Sequence, residues 1–330
     1  MIGRIDSWQT HAAARLPEWI AHADWGTAPA KRIVATAQRC DGVYVAHAPC
    51  RVAPTAGLLE RMHVGAGARG PTLLGFDFPI GLPRAYAEQA GIHDFAAWFA
   101  QLEATSPFFE IAAEISEVSL ERPFFPRRIA TRSPGIKEQF RARLGLTAST
   151  SLRLCDRANG ARGAASEMFW SLGPKAVGKA TLTGWRDTLR EALAEPDRRY
   201  AIWPFDGHLL DLLACADAVI VESYPADAYR RLDLRMGTPG TAKTAQRDRR
   251  ADAARLHRWC KDNGVVLDEA LVRQVNDGFG PSRDGEDRFD AVVGLLGMIG
   301  AIAGGREPPV PDDPAVREVE GWMFGQAVPS

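Results

Sequence analysis

The sequence is poor in the features that would assign it at once to several functional classes. Its five cysteines, Cys40, Cys50, Cys155, Cys215 and Cys260, are odd in number, widely spaced and without a Cys-x-x-Cys pair. That spacing argues against a disulfide framework and against a thiolate zinc site. Charge of one sign is not in excess: 40 basic residues against 41 acidic ones leave a net charge of -1 over 330 residues. Any surface for a polyanion must therefore be a local patch. No apolar run approaches the ~20 residues that span a bilayer. The longest, Ala291 to Gly305, is interrupted by five glycines and reads as a closely packed buried helix. The opening Met1 to Trp8 has no apolar core of a secretory signal, so a cytoplasmic location away from membranes is expected. Internal repeats and low-complexity tracts are also missing. With 46% hydrophobic and 25% charged residues the composition is that of a globular protein, long enough for two domains or for one with a large insertion.

Trp19 to Trp25 and Ile33 to Ala37 read as strands, separated by a polar turn at Gly26 to Arg32. Asp41-Gly42 is a hairpin signal that hands the chain to a third strand, Val43 to Ala48. A helix is expected around Ala56 to Met62, ended by the Gly65 to Gly70 cluster. Two later apolar runs, Leu73 to Phe78 and Ala218 to Val221, are stopped by prolines and read as buried strands ending near a carboxylate. This order predicts an α/β fold with a mixed sheet flanked by helices. Between the two runs, segments such as Asp94 to Leu102 and Gly184 to Leu193 look helical, giving a large, mostly helical insertion. The insertion is also basic. From Arg122 to Arg162, ten arginines and lysines face only Glu138 and Asp156, a local charge of +8.

The distribution of acids carries the chemistry. Asp77 lies between Phe76 and Phe78, where an ionised carboxylate costs several kcal/mol unless it is hydrogen-bonded, paired or bound to a metal. Read alone, it caps the turn near Gly81 as readily as it binds a ligand. Asp24 ends the first strand just before Gly26-Thr27, and Glu222 ends the Ala218 run. Each has its own structural reading, a turn residue for Asp24 and a buried ion pair with an arginine for Glu222. Near the C-terminus, helical spacing puts Asp287, Asp290, Gly294, Gly297 and Ala301 on one face. Small residues on that face allow close approach to the sheet and aim both aspartates at the strand ends. Converging carboxylates repel, and hard divalent cations relieve the repulsion. The expected site is therefore Asp24, Asp77 and Asp290 as ligands of Mg²⁺ or Mn²⁺, with Asp287 and Glu222 as further catalytic acids.

Gly75 to Pro83, Glu222 to Tyr229, Glu286 to Met298 and the tail Glu320-Gly321-Trp322 resemble a family of predicted nucleases with an RNase H-like fold, domain of unknown function 429. The similarity runs from about Trp19 to Gly325. It implies a five-stranded core, three antiparallel strands followed by two parallel ones. On this reading 19–102 and 201–305 form the core, 103–200 the basic insertion and 306–330 a tail packed on the core. It further implies an acidic site like that of Holliday-junction resolvases: an Asp on the first strand, an acid on the fourth and an Asp-x-x-Asp pair on the last helix. Asp24, Asp77, Asp287 and Asp290 match those positions. Glu222 is typical of the family but has no counterpart in that scheme. The sequence departs from the family where Trp25 follows the first Asp, a position that is often Ser.

A metal-dependent nuclease is thus the leading expectation, with nucleic acid as partner. Arg122, Arg127, Arg128, Arg132, Arg141, Arg143, Lys175 and Lys179 are the expected phosphate contacts. Phe124, Phe125 and Phe140 are interleaved with them, either to stack on bases or to pack in the core. A second basic run, Lys243 to Arg258, reads as a solvated helix face. Two alternatives use the same residues. Asp24-x-Gly26-Thr27 loosely resembles the first phosphate loop of actin-like ATPases and sugar kinases, which would make the protein an ATP-dependent phosphotransferase. Alternatively the acids serve folding alone, in a non-catalytic nucleic-acid-binding protein.

Overall fold

The computed structural model describes residues 16–52, 57–64, 70–127, 134–160, 162–173, 176–194 and 200–329. Among the described residues eight strands form one mixed sheet: β1 (Trp19–Asp24), β2 (Ile33–Cys40), β3 (Val43–Ala46), β4 (Cys50–Arg51), β5 (Thr72–Phe76), β6 (Tyr200–Ile202), β7 (Ala218–Glu222) and β8 (Val265–Leu267). Their order is β6-β7-β5-β1-β2-β3-β8, with β4 paired to β2. β1, β2 and β3 are antiparallel neighbours, whereas β5, β7 and β6 continue the sheet in parallel from β1. The expected meander and the two buried strands are all present, in a sheet larger than five strands. β6 extends one edge and β8 the other. Asp41 and Gly42 turn the β2–β3 hairpin with φ of 50° and 87°, the conformation such a two-residue turn requires.

The central strands are covered on both sides, and alternation along each strand assigns the faces. Ala21, Ala23, Leu74, Phe76 and Ile220 point into one core; Ile20, Leu73, Val219 and Val221 point into the other. The first core is completed by the insertion. Phe108, Phe124, Phe125, Phe140, Phe169 and Trp185 are buried there with Phe76 and Phe78. Phe124, Phe125 and Phe140 thus pack in the interior and do not stack on bases. The insertion's described helices include Ile136–Arg143 and a continuous run in which the π-helical Trp185–Leu189 joins Gly178–Gly184 to Arg190–Ala194. Much of the rest is irregular chain held by these aromatic contacts.

The second core is closed by the final helix, Asp284–Ala301, which crosses β1 and β2. A Cβ at Gly294 would lie 2.1–2.4 Å from the ring of His22 on β1, so only glycine permits this approach. Gly297 faces Ala228 of the helix Pro225–Arg231, not the sheet, and a Cβ there would lie 2.6 Å from the Ala228 Cβ. His22 donates through Nδ1 to the Ala291 carbonyl at 3.1 Å, and burial lowers its pKa to about 4, so it is a neutral core histidine. Gly294→Ala gains about 1 kcal/mol of helix propensity but forces the helix off His22. Its expected net cost is about 2 kcal/mol in urea denaturation; unchanged or raised stability would show that the helix does not sit this close.

Candidate metal centre

Three chain segments bring the acids together. Asp24 is the last residue of β1, and period-two alternation places it on the face of His22, toward the final helix. Asp77 follows β5 directly, and its N–H donates to the Ala23 carbonyl at 3.0 Å, which sets it beside Asp24 at the strand ends. Asp287 and Asp290 project from the first turns of the final helix. Asp290, Asp77 and Asp287 each act electrostatically on Asp24. Among the described residues Asp77 does not cap the turn near Gly81, where the Ile80 N–H donates to Glu222 and the Leu82 N–H to the Val319 carbonyl.

Burial and mutual repulsion dominate the electrostatics. Asp24 is pushed well above the usual carboxyl range by burial, then by Asp290, Asp77 and Asp287. Burial, followed by Asp290, raises Asp77 to about 7. Asp290 is raised by burial against the pull of Lys243, and half-buried Asp287 by burial and then Glu286. Among the described residues Asp290 alone of the four is hydrogen-bonded to polar side chains. The Tyr229 hydroxyl donates to its Oδ1 at 3.2 Å, and Lys243 Nζ donates to its Oδ2 at 2.5 Å while lying 3.3 Å from Glu286 Oε1.

Asp24, Asp77, Asp290 and Glu286 thus share the influence of one ammonium group, that of Lys243, while Lys31 acts on Asp287. This donor set is all oxygen, strongly anionic and partly desolvated, which is the chemistry a hard divalent cation takes. The residues present therefore fit such an ion in charge and donor type. They are not a closed cage: among the described residues the one trio of ligand atoms within 4.8 Å of one another is Cys155, Asp156 and Glu222.

That trio belongs to an arginine. Arg153, fully buried, donates through Nη1 and Nη2 to the Glu222 oxygens at 2.6 and 2.7 Å. Through Nε and Nη2 it donates to the Asp156 oxygens, both at 2.9 Å. Nη1 also reaches the Ile80 carbonyl at 3.1 Å, and the Ile80 N–H returns a bond to Glu222 at 2.7 Å. Glu222, expected among the catalytic acids, is thereby paired with Arg153, although its charge still raises the Asp77 carboxyl. Register gives the reason: Glu222 pairs with Phe76, so its side chain shares Phe76's face, opposite to the face of Asp24. Burial raises the Glu222 carboxyl and Arg153 offsets this only in part. The structure follows the ion-pair reading of this residue.

The basic stretch is offset in part by acids outside it. Arg122 pairs with Glu110, Arg141 with Glu167 at 2.6 Å and Arg162 with Asp227 at 2.8 Å. Lys137 reaches Glu167 at 3.4 Å. Arg127 donates to the Ile111 carbonyl at 3.1 Å, and Arg143 to those of Val118 and Ser116 at 3.1 and 3.0 Å. Among the described residues, folding thus brings acids from elsewhere in the chain, Glu110, Glu167, Glu222 and Asp227, that offset part of the local +8. Lys179 is half-buried in the helix Gly178–Gly184; Arg128, Arg132 and Lys175 lie outside the described residues. The Gly26 and Thr27 carbonyls accept from Arg32 at 3.0 and 3.5 Å, so Arg32 fixes the loop after Asp24 through its carbonyl groups.

Two site residues were not identified from sequence. Tyr229 closes the segment that begins at Glu222, seven residues away on the helix Pro225–Arg231. Lys243, expected on a solvated helix face, instead lies in the loop before the helix Gln246–Ala251 with its ammonium on Asp290. No local periodicity marks either residue. Compared with known proteins, the chain matches no family model, no curated protein and no solved structure. Among the described residues no helix is long and apolar enough to cross a membrane.

Proposed function

We propose that the protein is a metal-dependent phosphodiesterase acting on nucleic acid, with Asp24, Asp77 and Asp290 as ligands of Mg²⁺ or Mn²⁺ and Asp287 as a further acid at the rim. One observation carries the reading: buried carboxylates from two adjacent strand ends and one helix converge with more negative charge than Lys243 balances. The order β3-β2-β1-β5-β7 with a helix crossing β1 supports an RNase H-like core and, with it, the resemblance to the predicted-nuclease family. A bound divalent ion would supply Lewis-acid activation of water and stabilisation of the leaving oxygen. The chain's own part is electrostatic and positional. Asp24 and Asp77 are held by adjacent parallel strands, so their spacing is set by backbone hydrogen bonds. Tyr229 and Lys243 fix the Asp290 carboxylate by one bond to each oxygen. The raised carboxyl of Asp77 limits the fully anionic, ion-binding state to neutral pH and above.

Cleavage of single- and double-stranded DNA and RNA in millimolar Mn²⁺ at low salt tests this. The reading expects cleavage that chelation stops and that Asp77→Asn lowers at least ~100-fold, the equivalent of a few kcal/mol of lost transition-state stabilisation. Cleavage equally strong in Asp77→Asn would refute the assignment.

A further inference from the structure

Lys243 is the one cation in direct contact with the acid centre among the described residues, and its placement is built in. Its Nζ lies 2.5 Å from Asp290 and 3.3 Å from Glu286. Lys243 is 43% exposed where Asp290 is 4% exposed, so the ammonium approaches Asp290 from the solvent side. The backbone behind it is fixed twice. The Lys243 carbonyl accepts from Arg249, a fully buried arginine, and the preceding Ala242 N–H donates to Asp248 at 2.9 Å. The same Arg249 guanidinium donates to the Gly278 and Gly280 carbonyls at 2.9 and 2.7 Å. Those two residues lie in the chain that leads into the final helix. One arginine therefore locks the lysine loop to the support of Asp290. A side chain on a solvated face has no such anchoring.

We propose, resting on the metal-centre reading above, that Lys243 holds a cation position of the centre. It keeps Asp290 from a further divalent ion and supplies in its place a fixed positive charge beside the phosphate to be cleaved. Asp24 and Asp77, which make no ion pair within 4 Å among the described residues, remain for the one divalent ion, with Asp290 as its third ligand. Lys243 would then touch the substrate phosphate, with Arg249 a positioning residue acting through the Lys243 carbonyl. The substrate class this charge suits is a phosphodiester whose transition state gathers negative charge on the phosphoryl oxygens.

The test is calorimetric titration of the full chain with MnCl₂ at low ionic strength, for the wild type, Lys243→Met, Lys243→Gln and Lys243→Arg. Asp77→Asn marks the site. The proposal expects Lys243→Met and Lys243→Gln each to take up one more Mn²⁺ per chain than the wild type, or to bind it at least about tenfold tighter, as loss of a unit charge some 4–5 Å away implies. Lys243→Arg should match the wild type. Unchanged stoichiometry and affinity in both neutral variants overturns the proposal while leaving the metal centre intact. Absence of any Mn²⁺ binding sensitive to Asp77→Asn, in every variant, overturns the metal-centre reading itself. The glutamine variant keeps a donor to Asp290, so the comparison stands if the methionine variant does not fold.

Discussion

Asp77→Asn is expected to raise thermal stability at pH 8 while removing Mn²⁺ binding and cleavage. The sign follows from proton linkage. In the folded chain the Asp77 carboxyl titrates at about 7 against an ordinary 3.8, chiefly through burial and then Asp290. Between those values the native state keeps a proton that the unfolded chain has released, so stability falls as pH rises through this window and stays low above it. A difference of this size corresponds to roughly 2–4 kcal/mol. Asparagine mimics the protonated form, and its removal of charge also relieves Asp24 and Asp290. The gain should therefore shrink toward zero at pH 4, below the folded-state value, where the wild type is itself neutral. Saturating Mn²⁺ should reverse the order at pH 8. At about a thousandfold excess over its dissociation constant a ligand adds about 4.1 kcal/mol, available to the wild type and not to the variant. Melting curves at pH 4 and 8, with and without Mn²⁺, read all of this. A variant less stable than the wild type at pH 8 without metal would mean that Asp77 is a structural acid.

Arg153→Met is expected to destabilise the protein by about 3–5 kcal/mol, a large part of the usual margin of a folded chain. Its guanidinium is fully buried and is the common partner of Glu222 and Asp156, themselves 3% and 1% exposed. Removing it strands two desolvated carboxylates and frees the Ile80 carbonyl. Glu222→Gln leaves Arg153 paired with Asp156 and should cost less. In Glu222→Gln, whatever folds should bind Mn²⁺ as the wild type does, the opposite of Asp77→Asn. Urea denaturation followed by Mn²⁺ titration separates the two carboxylates. Loss of Mn²⁺ binding in a stably folded Glu222→Gln would return Glu222 to the centre.

Much of the sheet was legible because its signals are local. β1, β2, β3, β5 and β7 each carry a short apolar run bounded by turn residues, and Asp41-Gly42 fixes the hairpin. β6 and β8 were not, because three-residue edge strands are too short to show a period. The aspartates could be found because a carboxylate next to Phe76 or on the glycine face of a helix conflicts with its surroundings in one dimension. Glu222 shows the same conflict. What separates it from the aspartates is strand register, which places it in line with Phe76 and so on the far face. Register is a tertiary quantity, as is the pairing of Arg141 with Glu167 and of Arg162 with Asp227 that offsets part of the basic stretch. Lys243 was hidden for the same reason: only the fold brings its loop against residues 286 and 290.

Anomalous scattering from crystals soaked in millimolar Mn²⁺ bears most directly on the acid centre. The account predicts a peak between Asp24 and Asp77, on the side of Asp290, in the wild type, and none there in Asp77→Asn. Crystals that take up no Mn²⁺ at that place, with Lys243 still seated on Asp290 and the Asp24 and Asp77 carboxylates apart, would contradict it.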